Sequence, residues 1–359
     1  MTFVENDNTS PNVSVIILNW NGKEDTLECL ASIGQLDYPN YEVIVVDNGS
    51  TDDSVGAISK QYPGITLLQT GANLGYAGGN NVGIRWVLDH DADFVFLLNN
   101  DTIVSPQLLA SLVSAANRHP DAAFLGARLF YLDQPEHVWF DGARWNPDKN
   151  YFEYPGQGMP TTALSSADHE TDYVCGAALF IRTEIIRQVG LMDERYFLVW
   201  EEVDWCYRAR QAGLRNIIVP DAVVWHKVGP SFGGEDSPLR TYFDIRNALV
   251  WSWRYAGLST WQGILSRSLS RALPKLTVSP DKRYPLPKRF VWALLDYFRA
   301  FSRHRNPKMW VIRRAIRDYL LRKLGDCPAI VRKTSQEWAK QNSLPIAHND
   351  KNDPQNLAN

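Results

Sequence analysis

The stretch that most constrains this chain is Phe94 to Thr102, FVFLLNNDT. Five apolar residues, Phe94 to Leu98, follow one another without polar alternation. A strand reads this way when both of its faces are buried, as in a parallel sheet covered by helices. The run stops abruptly at Asn99-Asn100-Asp101. Polar residues at the end of a buried parallel strand arrive at the carboxyl edge of the sheet, where open α/β folds place their ligands. Asp101 with its two amide neighbours has the chemistry to hold a divalent cation and, through it, a diphosphate. A capping turn is the other reading, since Asn and Asp also terminate strands.

The chain before this strand repeats the scheme. Val13 to Leu18 (VSVIIL) is a short β-branched run ending at Asn19-Trp20-Asn21-Gly22. A helical pattern follows, with Leu27, Leu30 and Ile33 on one face. Tyr41 to Val46 (YEVIVV) is a second strand and ends at Asp47-Asn48-Gly49-Ser50-Thr51-Asp52, where Ser50 or Thr51 is placed to cap a helix. Ile65 to Gln69 reads as a third strand, and the Gly-rich loop Asn73 to Gly83 opens a helix through Ile84, Val87 and Leu88. This alternation predicts a parallel α/β sheet. Two strand ends carry an acid, Asp47 and Asp101. A dinucleotide-binding fold also has an acid after its second strand. Here, however, the first strand runs into NWNGKEDT rather than G-x-G-x-x-G, and the Gly-rich loop comes one unit too late.

Downstream, Asp148 to Glu170 is rich in Gly, Pro, Ser and Thr and reads as a loop or lid. Asp172 to Arg182 is a strand pattern, followed by a helix from Glu184 to Val189. The densest constellation is Phe197 to Arg210, FLVWEEVDWCYRAR. On a helix, Glu201, Asp204 and Arg208 share one face. Acids at a helix start are favoured by the dipole, and Asp204–Arg208 has the spacing of an i,i+4 ion pair. The adjacent pair Glu201-Glu202 follows an aromatic and aliphatic approach. That approach places one carboxylate in a partly dry site, where its proton affinity rises toward that of a general base. Leu214 to Val219 and Ala222 to Trp225 read as two strands, the second ending at His226. Alone, a histidine in such a place reads more readily as structural than as a ligand.

Taken together, NWNG after the first strand, VVDNGSTD, NLGYAGGNN and the LLNND strand end resemble the inverting family 2 glycosyltransferases. The resemblance extends to rhamnosyltransferase-like enzymes of bacterial polysaccharide synthesis. It implies the GT-A nucleotide-diphospho-sugar transferase fold: α/β, with a mainly parallel central sheet flanked by helices and a C-terminal helical region. It also implies a nucleoside-diphosphate sugar donor, of uridine or thymidine, and a saccharide or lipid-linked saccharide acceptor. Donor contacts then fall to Asn19, Asp47, Asn48, Gly75, Gly78, Asn81, Asn100 and Arg246, the last within a Y-x3-R-N pattern at Tyr242, Arg246 and Asn247. Asp47 is the acceptor of a hydrogen bond from the base. Mg²⁺ or Mn²⁺ is implied, with Asp101 as the acid of a DxD-type motif and His226, after Trp225, as a second ligand. Asn99 stands where many members have Asp, which lowers the charge at the metal. The family base is the second member of an acidic pair, usually Asp. This chain has Glu202 there, one methylene longer, beside Glu201. Gly176, Ala177 and Asp204 are implied neighbours of the acceptor. Arg246 has solvated surface as its alternative. The likeness covers residues 13 to about 235 and is weaker beyond, near Arg246 and from Asp318 to Gly325.

Composition supplies a division of labour. Residues 1–260 carry 17 Lys+Arg and 33 Asp+Glu, a balance of −16, and residues 261–359 carry 20 and 7, a balance of +13. An acidic body with a basic tail segment suggests two jobs. Arg289 to Arg303 places Arg289, Asp296, Arg299 and Arg303 on one helical face and Phe290, Leu294, Tyr297, Phe298 and Phe301 on the other. That pattern fits either helices packed on the body or a peripheral contact with the cytoplasmic face of a membrane. A nucleic-acid binder is the less fitting reading, because large apolar residues interleave the basic ones. A catalytically silent sugar-nucleotide binder is the other alternative. Four scattered cysteines without CxxC read as reduced thiols of a cytoplasmic protein. The polar N-terminus is not a signal peptide, and no run is long enough to span a bilayer. The expected divisions are a disordered 1–12, a catalytic domain 13–235, a basic amphipathic helical region 236–333 and a disordered tail 334–359.

Overall fold

The computed structural model describes residues 10–228, 236–275 and 285–342. The chain forms two compact units, Met1–Val228 and Gly229–Asn359. The first begins with β1 (Val13–Asn19), α1 (Lys23–Ile33), β2 (Tyr41–Asp47), α2 (Ser54–Gln61), β3 (Thr66–Gln69), α3 (Gly75–Leu88) and β4 (Phe94–Asn99). These four strands are parallel in the order β4-β1-β2-β3. Asn19 stands opposite Asp47, and Leu18 opposite Asn99, so three strand ends finish level. Val15, Ile16, Ile17, Ile44, Val45, Val46, Val95 and Leu97 are fully buried. This explains the unbroken apolar runs: each such side chain contributes roughly 1.5–3 kcal/mol when removed from water on both faces of the sheet.

The unit continues through β5 (Thr102–Val104), α4 (Leu108–Arg118), β6 (Ala122–Tyr131), β7 (Val138–Phe140), the hairpin β8 (Arg144–Asn146) and β9 (Tyr151–Glu153), and β10 (His169–Glu170). It ends with β11 (Ala178–Arg182), α5 (Thr183–Val189), α6 (Glu201–Gln211) and β12 (Arg215–His226). β11 runs antiparallel between β4 and β6, and β12 lies parallel to β6 on the far side. The sheet is therefore mixed, with its parallel half on the side of β1.

Several local expectations shift. The buried face of α1 is Thr26, Cys29, Leu30 and Ile33, with Leu27 half-buried. The helix is turned this way because the Thr26 hydroxyl donates to Asn19 Oδ1 at 2.8 Å. The two strands read before His226 are one strand, β12. Its register against β6 slips between Val219 and Val223, and Pro220, which cannot donate to a ladder, sits in that slip. The expected lid carries β9 and β10.

The second unit is helical: α7 (Pro238–Trp251), α8 (Gly257–Ala272), α9 (Leu286–Arg299), α10 (Pro307–Leu320) and α11 (Ala329–Gln341). A π-helical turn, Ser252–Ala256, joins α7 to α8. Helix α11 runs past Thr334, where the sequence suggested that a tail begins. Most of the tail, the first nine residues and residues 229–235 and 276–284 lie outside the described residues. Among the described residues, no helix is long and apolar enough to cross a membrane.

Candidate active site

The level ends of β1, β2 and β4 form the floor of the candidate site. Asn19 Nδ2 donates to Asp47 Oδ1 at 2.8 Å and to Ser50 Oγ at 3.1 Å. The Ser50 amide donates to Asp47 Oδ2 at 3.1 Å. Asp47, 3% exposed, is thus held in one orientation at the carboxyl edge. Asn100 Nδ2 joins the same network through the Thr26 hydroxyl at 3.0 Å. Asn48 reaches sideways: its Nδ2 donates to Gly75 O and its Oδ1 accepts from Leu74 N, each at 3.0 Å. These bonds fasten the start of α3 to the end of β2.

The start of α3 is fastened a second time. Tyr76 N donates to Phe197 O at 2.7 Å, and the Tyr76 hydroxyl donates to Gly176 O at 2.5 Å. Gly75 has φ +74°, and a Cβ there would lie 2.3 Å from Phe197 O. Only glycine combines that backbone with that approach. At Gly176 a Cβ would lie 2.7 Å from the Tyr76 hydroxyl oxygen. Ala177 O accepts from Asn99 N at 3.0 Å, which sets Gly176-Ala177 beside the end of β4.

The segment before α6 is bent by unusual backbone. Phe197, Val199 and Trp200 all have positive φ, at 66°, 65° and 79°. Such conformations are costly for bulky and β-branched residues and persist where the surroundings impose them. Here Trp200 is the N-cap of α6, and Glu201 and Glu202 are its first two residues. The bend delivers both carboxylates at the end of the helix where the dipole favours negative charge. Glu201 is buried and Glu202 half-buried. Their charges act on the start of α3: the Tyr76 phenol is pushed well above its ordinary pKa by burial, then by Glu202 and Glu201. The Tyr173 phenol is raised by burial, then by Tyr154 and Glu202. Both hydroxyls therefore stay protonated and act as hydrogen-bond donors at neutral pH.

His226 closes the other side. As the last residue of β12 it pairs with Thr102 of β5 and Tyr131 of β6. Its Nε2 lies 3.1 Å from Asp101 Oδ1, both side chains being nearly buried. The Trp139 ring packs 4.5 Å from the imidazole. His226 Nδ1 is buried and has no hydrogen-bond partner among the described residues. An imidazole nitrogen and a carboxylate oxygen this close, both nearly buried, fit two ligand atoms of one divalent cation and would hold it at the end of β4. Among the described residues, no cluster of three or more His, Cys, Asp or Glu side chains is assembled as a complete cage.

Three residues expected at ligands have their polar atoms occupied inside the protein, each at 0% exposure. Asn81 Nδ2 donates to Met192 O and Glu194 Oε1, and its Oδ1 accepts from Met192 N. Asp204 accepts from the Tyr196 hydroxyl at 3.0 Å and from Arg208 Nε at 2.8 Å, the i,i+4 pair that the spacing suggested. Arg246, in the second unit, donates to Gly325 O at 2.6 Å and to Asn247 Oδ1 at 3.0 Å. Its guanidinium lies over the Tyr242 and Phe243 rings, so it is enclosed rather than solvated. In these places the three side chains brace the fold. Gly78 lies in the first turns of α3, behind Gly75.

Residues 11–240 match the family described as glycosyltransferase like family 2. The N-acetylglucosaminyl-diphospho-decaprenol L-rhamnosyltransferase of Mycobacterium tuberculosis is 32% identical over 228 residues, 57% of this chain and 72% of that protein. The dTDP-rhamnosyl transferase RfbF of Shigella flexneri is 25% identical over 257 residues, 67% of this chain and 79% of that protein. Among solved structures, the mannosyltransferase PcManGT from Pyrobaculum calidifontis, in complex with GDP-Man and Mn²⁺, superposes with a TM-score of 0.52 at 17% identity. The match covers 89% of this chain and 90% of that one. At that identity the likeness speaks for the fold alone, and it is the GT-A fold that the strand ends imply. The chain belongs to the family 2 glycosyltransferases.

Proposed function

We propose that this enzyme moves a deoxyhexose, rhamnose, from a uridine or thymidine diphosphate donor to a hydroxyl of a lipid-linked saccharide. Inversion at the anomeric carbon accompanies transfer. The observation that carries the reading is the meeting, around the ends of β1, β2 and β4, of Asp47, the Asp101–His226 pair and the start of α6. Asp47, fixed by Asn19 and Ser50, accepts the imino hydrogen of the base. Glu202 is the general base. It is the more accessible of the two acids, and its charge acts on Tyr76, whose hydroxyl holds Gly176 in the segment assigned to the acceptor. Its carboxylate takes the acceptor proton while that oxygen bonds to the anomeric carbon. The bond from that carbon to the diphosphate breaks, and the nucleoside diphosphate departs. Asp101 and His226 would hold Mg²⁺ or Mn²⁺, which when bound neutralises charge on the leaving diphosphate. The names of the mycobacterial and Shigella relatives support the choice of sugar, and the Mn²⁺ of the archaeal structure supports the choice of metal. Neither a silent sugar-nucleotide binder nor a nucleic-acid binder has a counterpart in the family match.

The test is a screen of uridine and thymidine diphosphate sugars for release of nucleoside diphosphate, with and without Mn²⁺. Release above background from dTDP-rhamnose, dependent on Glu202, is the expected result. No release from any donor at saturating metal and acceptor would overturn it.

A further inference from the structure

We propose that α8 and α9 form a docking face for an anionic lipid surface. The large apolar side chains that this protein leaves exposed are concentrated here. On α9 only Ala293 is buried. Val291, Leu295 and Phe298 are 53%, 47% and 68% exposed, and Trp292 is 46% exposed. At about 100° per residue these first three point the same way, with Lys288, Trp292 and Arg299 along the border of that stripe. On and just after α8, Leu258, Leu269 and Leu273 are 60%, 42% and 48% exposed. Arg267 and Arg271 are exposed with them.

The two helices belong to one surface because one residue ties their ends. Arg313 of α10 donates to Ala272 O at 2.7 Å and to Phe301 O at 2.8 Å. Its guanidinium also lies over the Phe301 ring, 4.7 Å from the centroid. The C-terminal end of α8 and the turn after α9 therefore meet. Leu269, Leu273 and Phe298 lie near that junction.

Charge selects the occupant. Together α8 and α9 carry Arg267, Arg271, Lys288, Arg289 and Arg299 against the single acid Asp296. Asp296 is itself 3.7 Å from Arg299. A second copy of the chain would bring the same basic set against itself, which opposes self-association. An anionic bilayer offers the opposite charge and accepts Trp, Phe and Leu at the headgroup boundary, the composition of helices that lie in that plane. The surface rests on the glycosyltransferase reading only for its purpose, which is to hold the enzyme beside a lipid-linked acceptor.

The experiment is flotation of the intact chain with vesicles of phosphatidylcholine alone, and with about 30% phosphatidylglycerol, at low and high salt. The chain is expected to float with anionic vesicles only, and to be released as salt shortens the screening length from about 10 Å at 0.1 M to about 3 Å at 1 M. The double variant Leu295→Glu/Phe298→Glu should lose binding. Lys288→Glu/Arg299→Glu should weaken it by at least about tenfold. The charge variant lies at exposed positions, so it carries the test if the apolar one misfolds. Nucleoside diphosphate release from a soluble donor should be unchanged in both, which separates this proposal from the catalytic one. A chain that stays in the soluble fraction at low salt overturns the proposal. So do variants that float like the parent, or a dimer abolished by Leu295→Glu/Phe298→Glu without vesicle binding.

Discussion

At the scale of the residue, the site divides into groups that offer atoms to a ligand and groups that aim them. Glu202 and the Asp101–His226 pair belong to the first kind. Glu202→Gln keeps size and hydrogen bonding but cannot take a proton, so transfer should slow by roughly 10²–10⁴-fold with donor affinity retained. Stopped transfer assays alongside donor titration check both halves. A dead Glu201→Gln beside an active Glu202→Gln would move the base by one residue. Asp101→Asn removes the carboxylate that faces His226, so activity should fall at least about tenfold and require more Mn²⁺ for half-saturation. Undiminished activity of Asp101→Asn in excess chelator would rule out metal assistance. The offering groups were legible in the sequence because strand ends and a helix start display them. The aiming groups were not. Thr26, Ser50, Tyr76 and Trp139 reach partners that are 7, 31, 100 and 87 positions away. Only Thr26 lies within the window that periodicity reads, and a polar side chain does not register on an apolar face.

At the scale of the element, order and type followed from apolar runs, while irregularity did not. Strands β1, β2 and β4 are visible because both of their faces are buried. The ten-residue β6 does not stand out in the sequence, since a strand that changes neighbours along its length shows no single period. The bend at Phe197, Val199 and Trp200 was also invisible, because nothing about these side chains favours positive φ. It is imposed from outside, in part by α3. Gly75→Ala tests that coupling. A methyl group against Phe197 O, on a backbone unfavourable for alanine, should cost about 2–4 kcal/mol. It should also impair transfer more than donor binding, since Phe197 precedes the two glutamates. Thermal unfolding and kinetics on one sample would check this, and a Gly75→Ala enzyme with normal stability would show that the contact yields freely.

At the scale of the whole molecule, the sequence carries two opposed charge populations, −16 over residues 1–260 and +13 over residues 261–359. The sum of −3 predicts exclusion from an anionic matrix at pH 7. Charges more than about 10 Å apart at 0.1 M salt act independently, however. The intact chain should therefore be retained on a cation exchanger at about 0.1 M salt in spite of its net charge, and should elute as salt rises further. Flow-through at about 0.1 M salt would mean that the basic residues are neutralised by acids of the same chain.

The slip in β12 has a consequence for how this protein tolerates changes in length. Beyond it, Ala222, Val224 and His226 point inward while Val223 and Trp225 are half-exposed, so the imidazole owes its direction to a count of residues. An extra residue within 220–222 enlarges an irregularity that already exists and leaves the count intact. The same residue inserted after Val224 would either push His226 past the end of the ladder or hand its place to Trp225, since one step along a strand exchanges its faces. Paired single-alanine insertions, after Asp221 and after Val224, should thus give one working enzyme and one that folds without its histidine in the site. Pro220 marks the joint at which this strand has slack in its length.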